Sequence, residues 1–174
     1  MRSQAEFVAV LVGKLEAAGA LYLLTGSWAS SCYGEPRSTQ DVDVVIDVSL
    51  ERLRRFLASL GDGFYFSDEA AAEAHAHQRM FNVIDMNSLW KADLIARKDR
   101  PYDVAAFGRR RAAEVSGIRA CVASPEDVVL SKLEWSKKAE SERQYRDAFG
   151  VIVTQWGALD ETYLRRWARE LGVE

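Results

Sequence analysis

The chain has 174 residues, of which 48% are hydrophobic and 28% are charged. This profile is typical of a soluble globular protein with one core, and it excludes a disordered or collagen-like chain. The net charge of −3 excludes a broad basic surface for nucleic acid, so such a contact would need a local cluster such as the arginine triplet 109–111. No apolar run is long enough to cross a bilayer, and acidic Glu6 stands where a signal peptide would be apolar, which predicts a cytoplasmic location.

The first 48 residues predict helices and strands in alternation. The first helix carries its apolar residues at helical spacing, and the second strand is rich in Val and Ile. A loop of Gly, Pro and hydroxyl residues precedes that strand. In chain order these elements are a helix over 5–18, a strand over 21–25, a brief helix over 28–33 and a strand over 41–48.

The middle of the chain predicts a further helix and a hairpin. Ser49 is placed to cap a helix whose apolar stripe ends at Leu60. Two later strands, 79–85 and 89–96, are separated by three residues, which predicts antiparallel pairing. Between the helix and the hairpin the sequence predicts a weak strand over 64–66 and an Ala-rich helix over 68–77.

The last third is predicted to be mostly helical. One helix is expected to continue from Pro101 through the arginine triplet, and a last strand follows. Ser124-Pro125 begins another helix, because Ser is a favoured cap and Pro a favoured first helical residue. No linker separates independent domains. We therefore expect an α+β fold with a mixed or antiparallel sheet, flanking helices, a core over 1–123 and a small helical lobe over 124–174 packed on that core.

Two short motifs carry the chemistry, Gly26-Ser27 after the first strand and Asp41-Val42-Asp43 at the start of the second. A strand that turns into a helix at Gly-Ser presents backbone N–H groups and a hydroxyl to phosphate. Two carboxylates two residues apart on a strand project from the same face. They repel unless a cation lies between them, and hard oxygen ligands suit Mg²⁺. The combination is typical of metal-assisted phosphoryl or nucleotidyl transfer.

The order and spacing of these motifs resemble the signature of the polymerase-β-like nucleotidyltransferase superfamily. That signature is an apolar residue, Gly-Gly or Gly-Ser, a spacer, and Asp-x-Asp or Asp-x-Glu in an apolar strand. Here the spacer has thirteen residues, at the long end of the pattern. The chain looks most like small members that include AbiEii-type toxins and the transferase-type antitoxins. The resemblance covers residues 20–150, because the patterns over 124–147 are also similar to AbiEii-like proteins.

The resemblance implies a polymerase-β-like fold, an NTP as co-substrate and two Mg²⁺ ions held by three carboxylates. The third carboxylate is expected on an antiparallel strand beside the Asp41/Asp43 strand. Asp93 is favoured, and Asp85 competes, since it borders the turn and is expected to be more easily solvated. The implied metal ligands and catalytic residues are Asp41, Asp43 and Asp93, and the implied nucleotide-binding residues are Gly26, Ser27, Arg37, Ser38, Lys132 and Arg143.

Several of these residues have plainer interpretations. Lys132 lies at the edge of an apolar helix face, where a lysine often covers the core with its stem and extends its ammonium to water. Arg143 and Asp147 are four residues apart on a predicted helix, so a surface ion pair explains them. The five tryptophans are expected to pack in the core or the lobe, although Trp28 follows the Gly-Ser turn and could stack on a base.

The function indicated is an Mg²⁺-dependent transfer of NMP from an NTP to a hydroxyl acceptor. The acceptor would be a tRNA 3′ end or a protein, in a toxin–antitoxin context with a cognate toxin or antitoxin as partner. A small-molecule acceptor, as in the antibiotic-modifying branch, is a further alternative. A member of the fold that acts only by binding a partner protein is another, and a phosphatase with the same carboxylates ranks last. The sequence determines neither the NTP nor the oligomeric state.

Overall fold

The computed structural model describes residues 1–36 and 38–174, and in these it contains one seven-stranded sheet and eight helices. This is the mixed α/β arrangement expected from the sequence. The strands are β1 (Leu21–Thr25), β2 (Asp41–Asp47), β3 (Phe64–Tyr65), β4 (Met80–Asp85), β5 (Lys91–Ala96), β6 (Arg111–Val115) and β7 (Ile118–Val122). The helices are α1 (Gln4–Ala17), α2 (Gly26–Tyr33), α3 (Leu50–Leu60), α4 (Asp68–His77), α5 (Pro101–Gly108), α6 (Pro125–Ala139), α7 (Glu142–Thr154) and α8 (Glu161–Leu171).

Strand β2 gives the sheet a buried apolar face and a partly exposed acidic face. Its side chains alternate, so that Val42, Val44 and Ile46 are buried while the acidic residues Asp41 and Asp43 are only partly covered. Period-2 alternation is what a strand with one core-facing side requires. The acids of β2 therefore share one face of the sheet, away from the apolar core.

The strand order is β3-β4-β5-β2-β1-β7-β6. Strands β4 and β5 pair antiparallel, as the hairpin spacing predicts. Strand β2 pairs antiparallel with β1 but parallel with β5. The expectation that the strand carrying the third carboxylate runs antiparallel to β2 was therefore wrong for Asp93, which lies on β5. The chain between β2 and β5 contains α3, β3, α4 and β4, so β5 returns to the centre of the sheet in the same direction as β2.

The predicted helix through the arginine triplet was also wrong. Helix α5 ends at Gly108, and Arg111 begins the edge strand β6. Strands β6 and β7 are joined by Ser116-Gly117, and both turn residues have positive φ, of 52° and 78°. That is the geometry of a two-residue hairpin turn, and a Ser-Gly pair between two short runs is its sequence signal.

The three C-terminal helices pack against the rest of the fold. Val128 and Val129 of α6 belong to the same apolar core as the buried residues of β2. A division of the chain at residue 123 into a core and a lobe stays a prediction. Of the helices in residues 1–36 and 38–174, none combines the length and apolar character needed to cross a bilayer.

A buried polar network anchors the start of α6 to α5 and α8. The side chains of Glu126 and Asp127 are 2% and 3% exposed. Arg109 donates to Glu126 at 2.9 Å, and Tyr163 of α8 donates its hydroxyl to Asp127 at 2.7 Å. The Arg109 guanidinium also lies over the Tyr163 ring, 3.9 Å from its centroid. Removing Arg109 would take the nearest cation from a buried carboxylate, which is far more costly than losing an exposed ion pair.

The substitution Arg109→Met is expected to lower the free energy of unfolding by about 3 kcal/mol, because the buried Glu126 carboxylate would lose its nearest counter-charge. Urea denaturation measures this change. Arg165→Met is the control, since Arg165 pairs with Glu161 on the exposed face of α8 and its loss should change stability by less than about 0.5 kcal/mol. Equal effects of the two substitutions would contradict a stabilising role for the network.

Candidate active site

The turn between β1 and α2 brings the backbone against a catalytic candidate on β2. Gly26 has a φ of +62°, in the left-handed region that favours glycine. A Cβ atom at this position would lie 1.9 Å from Oδ2 of Asp43, far inside contact distance. Glycine is therefore required twice here, by its backbone conformation and by the carboxylate beside it. Ser27 follows in the first turn of α2 and is buried.

The sheet places two of the three predicted carboxylates in one row. Asp43 is the direct cross-strand partner of Thr25 on β1 and of Asp93 on β5. Asn82 of β4 is the partner of Asp93 on its other side, and its amide donates to Asp93 Oδ1 at 2.5 Å. Asp93 therefore lies in register with the Asp-x-Asp strand, where the sequence predicted the third carboxylate. Its catalytic role stays a prediction.

A second row lies beside the first. Asp41 is directly opposite Lys91. The Lys91 Nζ is 3.4 Å from Asp41 Oδ2 and 3.2 Å from Asp93 Oδ1. Partial burial alone would lower the pKa of Lys91, but the two carboxylates raise it overall. The ammonium therefore bridges the two rows as a cation.

Lys132 brings a buried positive charge from α6 to the Gly-Ser turn. Its side chain is only 3% exposed, so the ammonium does not extend to water as the plainer interpretation held. The Nζ is 3.5 Å from Ser27 Oγ and donates to Asp147 Oδ2 of α7 at 2.8 Å. Asp147 thus accepts a hydrogen bond from the lysine of the neighbouring helix. The four-residue spacing between Arg143 and Asp147 does not predict this contact.

The electrostatics of Asp43 follow from this crowding. Burial raises the pKa of the Asp43 carboxyl above its ordinary value, and the nearby Asp93 and Asp41 carboxylates raise it further. Lys132 and Lys91 oppose this and lower that pKa. A group in this position gains from any additional cation brought against its oxygens.

The site opens into one cleft of about 400 Å³, within the range of small-molecule sites. Gly26, Ser27, the three aspartates, Lys132 and Arg143 all reach it. Ser38 does not line this cleft; it is exposed and borders a smaller hollow beside Trp28. Arg37 lies outside the described residues.

Asp85, the competing third carboxylate, is not solvated as expected. Its side chain is fully buried and pairs with Arg2 at 2.7 Å. Burial alone would raise the pKa of Asp85, but hydrogen bonds from Arg2 and the Asn87 N–H lower it overall. Asp85 points to the core face of β4, whereas Asn82, three residues earlier, is on the other face. Its role here is to hold the N-terminal arm to the β4–β5 turn.

Three residues in or beside the cleft were missed from the sequence. Lys91 and Asn82 have no motif, although Lys91 stands two residues before Asp93 and must share its strand face. Trp135 was expected to be packed, yet it is 60% exposed and lines the cleft. Trp28 is buried, at 6% exposure, which leaves no open ring face for stacking on a base. An amphipathic pattern does not distinguish a core tryptophan from one at a cleft mouth.

The carboxylates fit a metal ion that is bound together with a substrate. Within residues 1–36 and 38–174, no three His, Cys, Asp or Glu side chains form a ready-made metal cluster. Mg²⁺ is commonly held by one or two carboxylates plus substrate phosphates rather than by a complete protein cage. Asp41 and Asp43 match that requirement, because they share one strand face and because burial and neighbouring carboxylates disfavour the ionised form of Asp43 unless a cation is near.

No protein-family model and no curated protein sequence match the chain. Solved structures match over nearly its whole length. ANT(2")-Ia in complex with adenylyl-2"-tobramycin is similar with a TM-score of 0.64 and 16% identity, covering 98% of both chains. A nucleotidyltransferase-like antigen from Paracoccidioides brasiliensis has a TM-score of 0.59 and 18% identity, covering 97% of this chain and 91% of its own.

The lincosamide antibiotic adenylyltransferase LnuA, bound to lincomycin, has a TM-score of 0.58 and 13% identity, covering 86% of this chain and 96% of its own. The chain has the nucleotidyltransferase fold. At these identities the similarity establishes the fold alone. Special closeness to AbiEii-type proteins stays a prediction.

The substitution Gly26→Ala is expected to lower the free energy of unfolding by at least about 2 kcal/mol, because it adds a Cβ at positive φ and against Asp43. Urea denaturation measures the change. Gly13→Ala is the matched control, because Gly13 is inside α1 with open space around it and should gain up to about 1 kcal/mol. Tolerance of alanine at residue 26 would contradict the close approach described.

The substitution Asp43→Asn is expected to stabilise the protein at neutral pH. The pKa of Asp43 is raised in the folded state, so the unfolded chain loses this proton first as the pH rises above 3.8, and the native state loses relative stability. The advantage of Asn should therefore shrink as the pH falls and vanish below 3.8. Thermal melts across this pH range measure it, with exposed Asp62→Asn as a control that should show no such trend.

Proposed function

We propose that this protein is a metal-dependent nucleotidyltransferase that moves NMP from an NTP to a hydroxyl acceptor. The observation that carries the proposal is the meeting of three elements in one cleft. These are the Gly26-Ser27 helix start, the buried Lys132 ammonium 3.5 Å from Ser27, and the Asp41/Asp43 strand with Asp93 in register beside it. The fold of the chain supports the same reaction class.

The phosphates of the NTP would bind at the start of α2. Backbone N–H groups there point outward and favour negative charge, and the Ser27 hydroxyl adds a donor. Lys132 supplies a positive charge at the same place, and Arg143 lines the cleft from α7. Asp41 and Asp43, together with Asp93, would hold Mg²⁺, which would neutralise phosphate charge and orient the α-phosphate.

The chemical step would be a substitution at the α-phosphorus. The acceptor hydroxyl oxygen forms a bond to that phosphorus, and the bond to the oxygen that bridges to the β-phosphate breaks, releasing pyrophosphate. The hydroxyl proton passes to a carboxylate oxygen of Asp93. Asn82 donates to Oδ1 of that carboxylate and fixes its orientation, which is what a positioned proton acceptor requires.

We infer that the acceptor is a small hydroxylated molecule. The cleft volume of about 400 Å³ suits one, and the negative net charge does not favour tight binding of a polyanion such as tRNA. Two structures of similar size and fold belong to proteins associated with antibiotics, ANT(2")-Ia with adenylyl-2"-tobramycin and the lincosamide adenylyltransferase LnuA. Transfer to tRNA or protein, in a toxin–antitoxin context, is the competing outcome.

The test is transfer of label from each α-labelled NTP with Mg²⁺. The acceptors are a panel of aminoglycosides, lincosamides and simpler polyols, total tRNA, and cell protein. Wild type and Asp62→Asn should label a small molecule. The double variant Asp41→Asn/Asp43→Asn should lose at least about 100-fold of that rate, because it removes the charges that hold the metal and phosphates.

Label in tRNA or protein, with none in small molecules, would overturn the acceptor class and retain the transferase. A folded wild-type protein that labels nothing with any NTP would contradict the proposed function. It would favour a member of the fold that acts by binding a partner.

A further inference from the structure

Lys91 occupies an unusual place for a basic residue. It is directly opposite Asp41 in the parallel β2–β5 pair, and it is two residues before Asp93 on the same strand face. Its Nζ is within 3.4 Å of one carboxylate and 3.2 Å of the other. Its side chain is 34% exposed, and the two carboxylates that it contacts both line the cleft.

This ammonium lies at oxygen atoms that a divalent ion would use. Mg²⁺ needs its carboxylate oxygens at about 2.0–2.1 Å. An ammonium at contact distance from those same oxygens would stand only a few ångströms from the ion, where like charges repel strongly even in a partly hydrated site. Lys91 and a divalent ion therefore compete for Asp41 and Asp93.

We propose that Lys91 is a positioning residue that acts as a built-in counter-cation. It holds Asp41 and Asp93 together in the nucleotide-free cleft and releases their oxygens when a metal–nucleotide complex binds. This inference rests on the proposed function and describes how that site is regulated. Its consequence is that metal binding depends on the nucleotide.

The dependence has a simple physical origin. Metal alone must displace the ammonium from two carboxylates and gains only the neighbouring Asp43 carboxylate in exchange. Metal with an NTP gains phosphate ligands, and the displaced ammonium gains phosphate oxygens as new partners. The affinity of the site for the metal and for the nucleotide is then positively coupled, and coupling between two ligands is reciprocal.

The measurement is binding of Mn²⁺ followed by electron paramagnetic resonance, with and without an ATP analogue that cannot release pyrophosphate. Lys91→Met should bind Mn²⁺ alone about tenfold more tightly than wild type, because the competing charge is gone. The factor by which the analogue tightens Mn²⁺ binding should shrink in the same variant. Lys91→Arg keeps the charge and should stay close to wild type in both respects.

Lys98→Met is the matched control. Lys98 is exposed and lines the same cleft, and in the part of the chain that the structure describes it pairs with neither Asp41 nor Asp93. The Lys98→Met substitution removes one positive charge from the cleft but keeps the Lys91 contacts to Asp41 and Asp93, so the Mn²⁺ affinity of this variant should stay close to that of wild type. Adding Asp43→Asn to wild type or to any of these variants should weaken Mn²⁺ binding. That loss would show that the measured Mn²⁺ binds at this site.

Stability gives a second readout without metal. Lys91→Met should melt at a lower temperature than Lys98→Met, because Asp41 and Asp93 lose their shared cation. Mn²⁺ should raise the melting temperature of Lys91→Met towards that of Lys98→Met. If Lys91→Met fails to fold, Lys91→Gln keeps a polar side chain and carries the same expectations.

Mn²⁺ affinity that is unchanged or weaker in the folded Lys91 variants overturns the role of Lys91 and leaves the transferase proposal intact. Absence of Mn²⁺ binding in wild type and all variants, with the analogue present, overturns both.

Discussion

The direct opposition of Asp43 and Asp93 across the β2–β5 pair is the constraint on which the site depends. Like charges directly opposite on neighbouring strands destabilise a sheet, and here burial adds to the cost for Asp43. The surroundings offset it. Lys132 approaches from α6, Lys91 bridges from the next row, and Asn82 donates to Asp93. The two lysines and the Asn82 amide thus offset the repulsion between the Asp43 and Asp93 carboxylates.

The sheet topology creates that contact and also limits the turn beside it. Because β5 runs parallel to β2, its period-2 face matches that of β2 residue by residue, and acids on both strands meet on one side. The β1 strand runs the other way and delivers Gly26 to the level of Asp43. Only a residue without a Cβ fits there. The Gly26-Ser27 turn and the Asp43 carboxylate are therefore held in contact by backbone geometry, before any ligand is considered.

The sequence was informative where a pattern is local. Alternation and composition indicate β2, and Gly26 before an Asp-x-Asp pair indicates the site. Register is not local. No pattern shows that β5 returns parallel to β2, so the expected direction was wrong even though Asp93 was chosen from its strand. The helix predicted through the arginine triplet was wrong for another reason. An Ala-rich run favours a helix, and only the Ser-Gly turn that follows indicates a hairpin. The burial of Asp85 depends on Arg2, a contact 83 residues distant in sequence that no short motif contains.

The C-terminal helices contribute charged side chains to the candidate site. Lys132 belongs to α6, and its ammonium is held between Ser27 of the turn and Asp147 of α7. Helix α6 is in turn fixed at its start by Glu126 and Asp127, whose partners lie before and after it in the chain. A displacement of α6 would withdraw a positive charge from the crowded carboxylates and raise the cost of keeping Asp43 ionised. Packing of these helices and the electrostatics of the cleft are therefore one energetic unit, because the buried lysine that stabilises the site is carried by the helix that the buried network anchors.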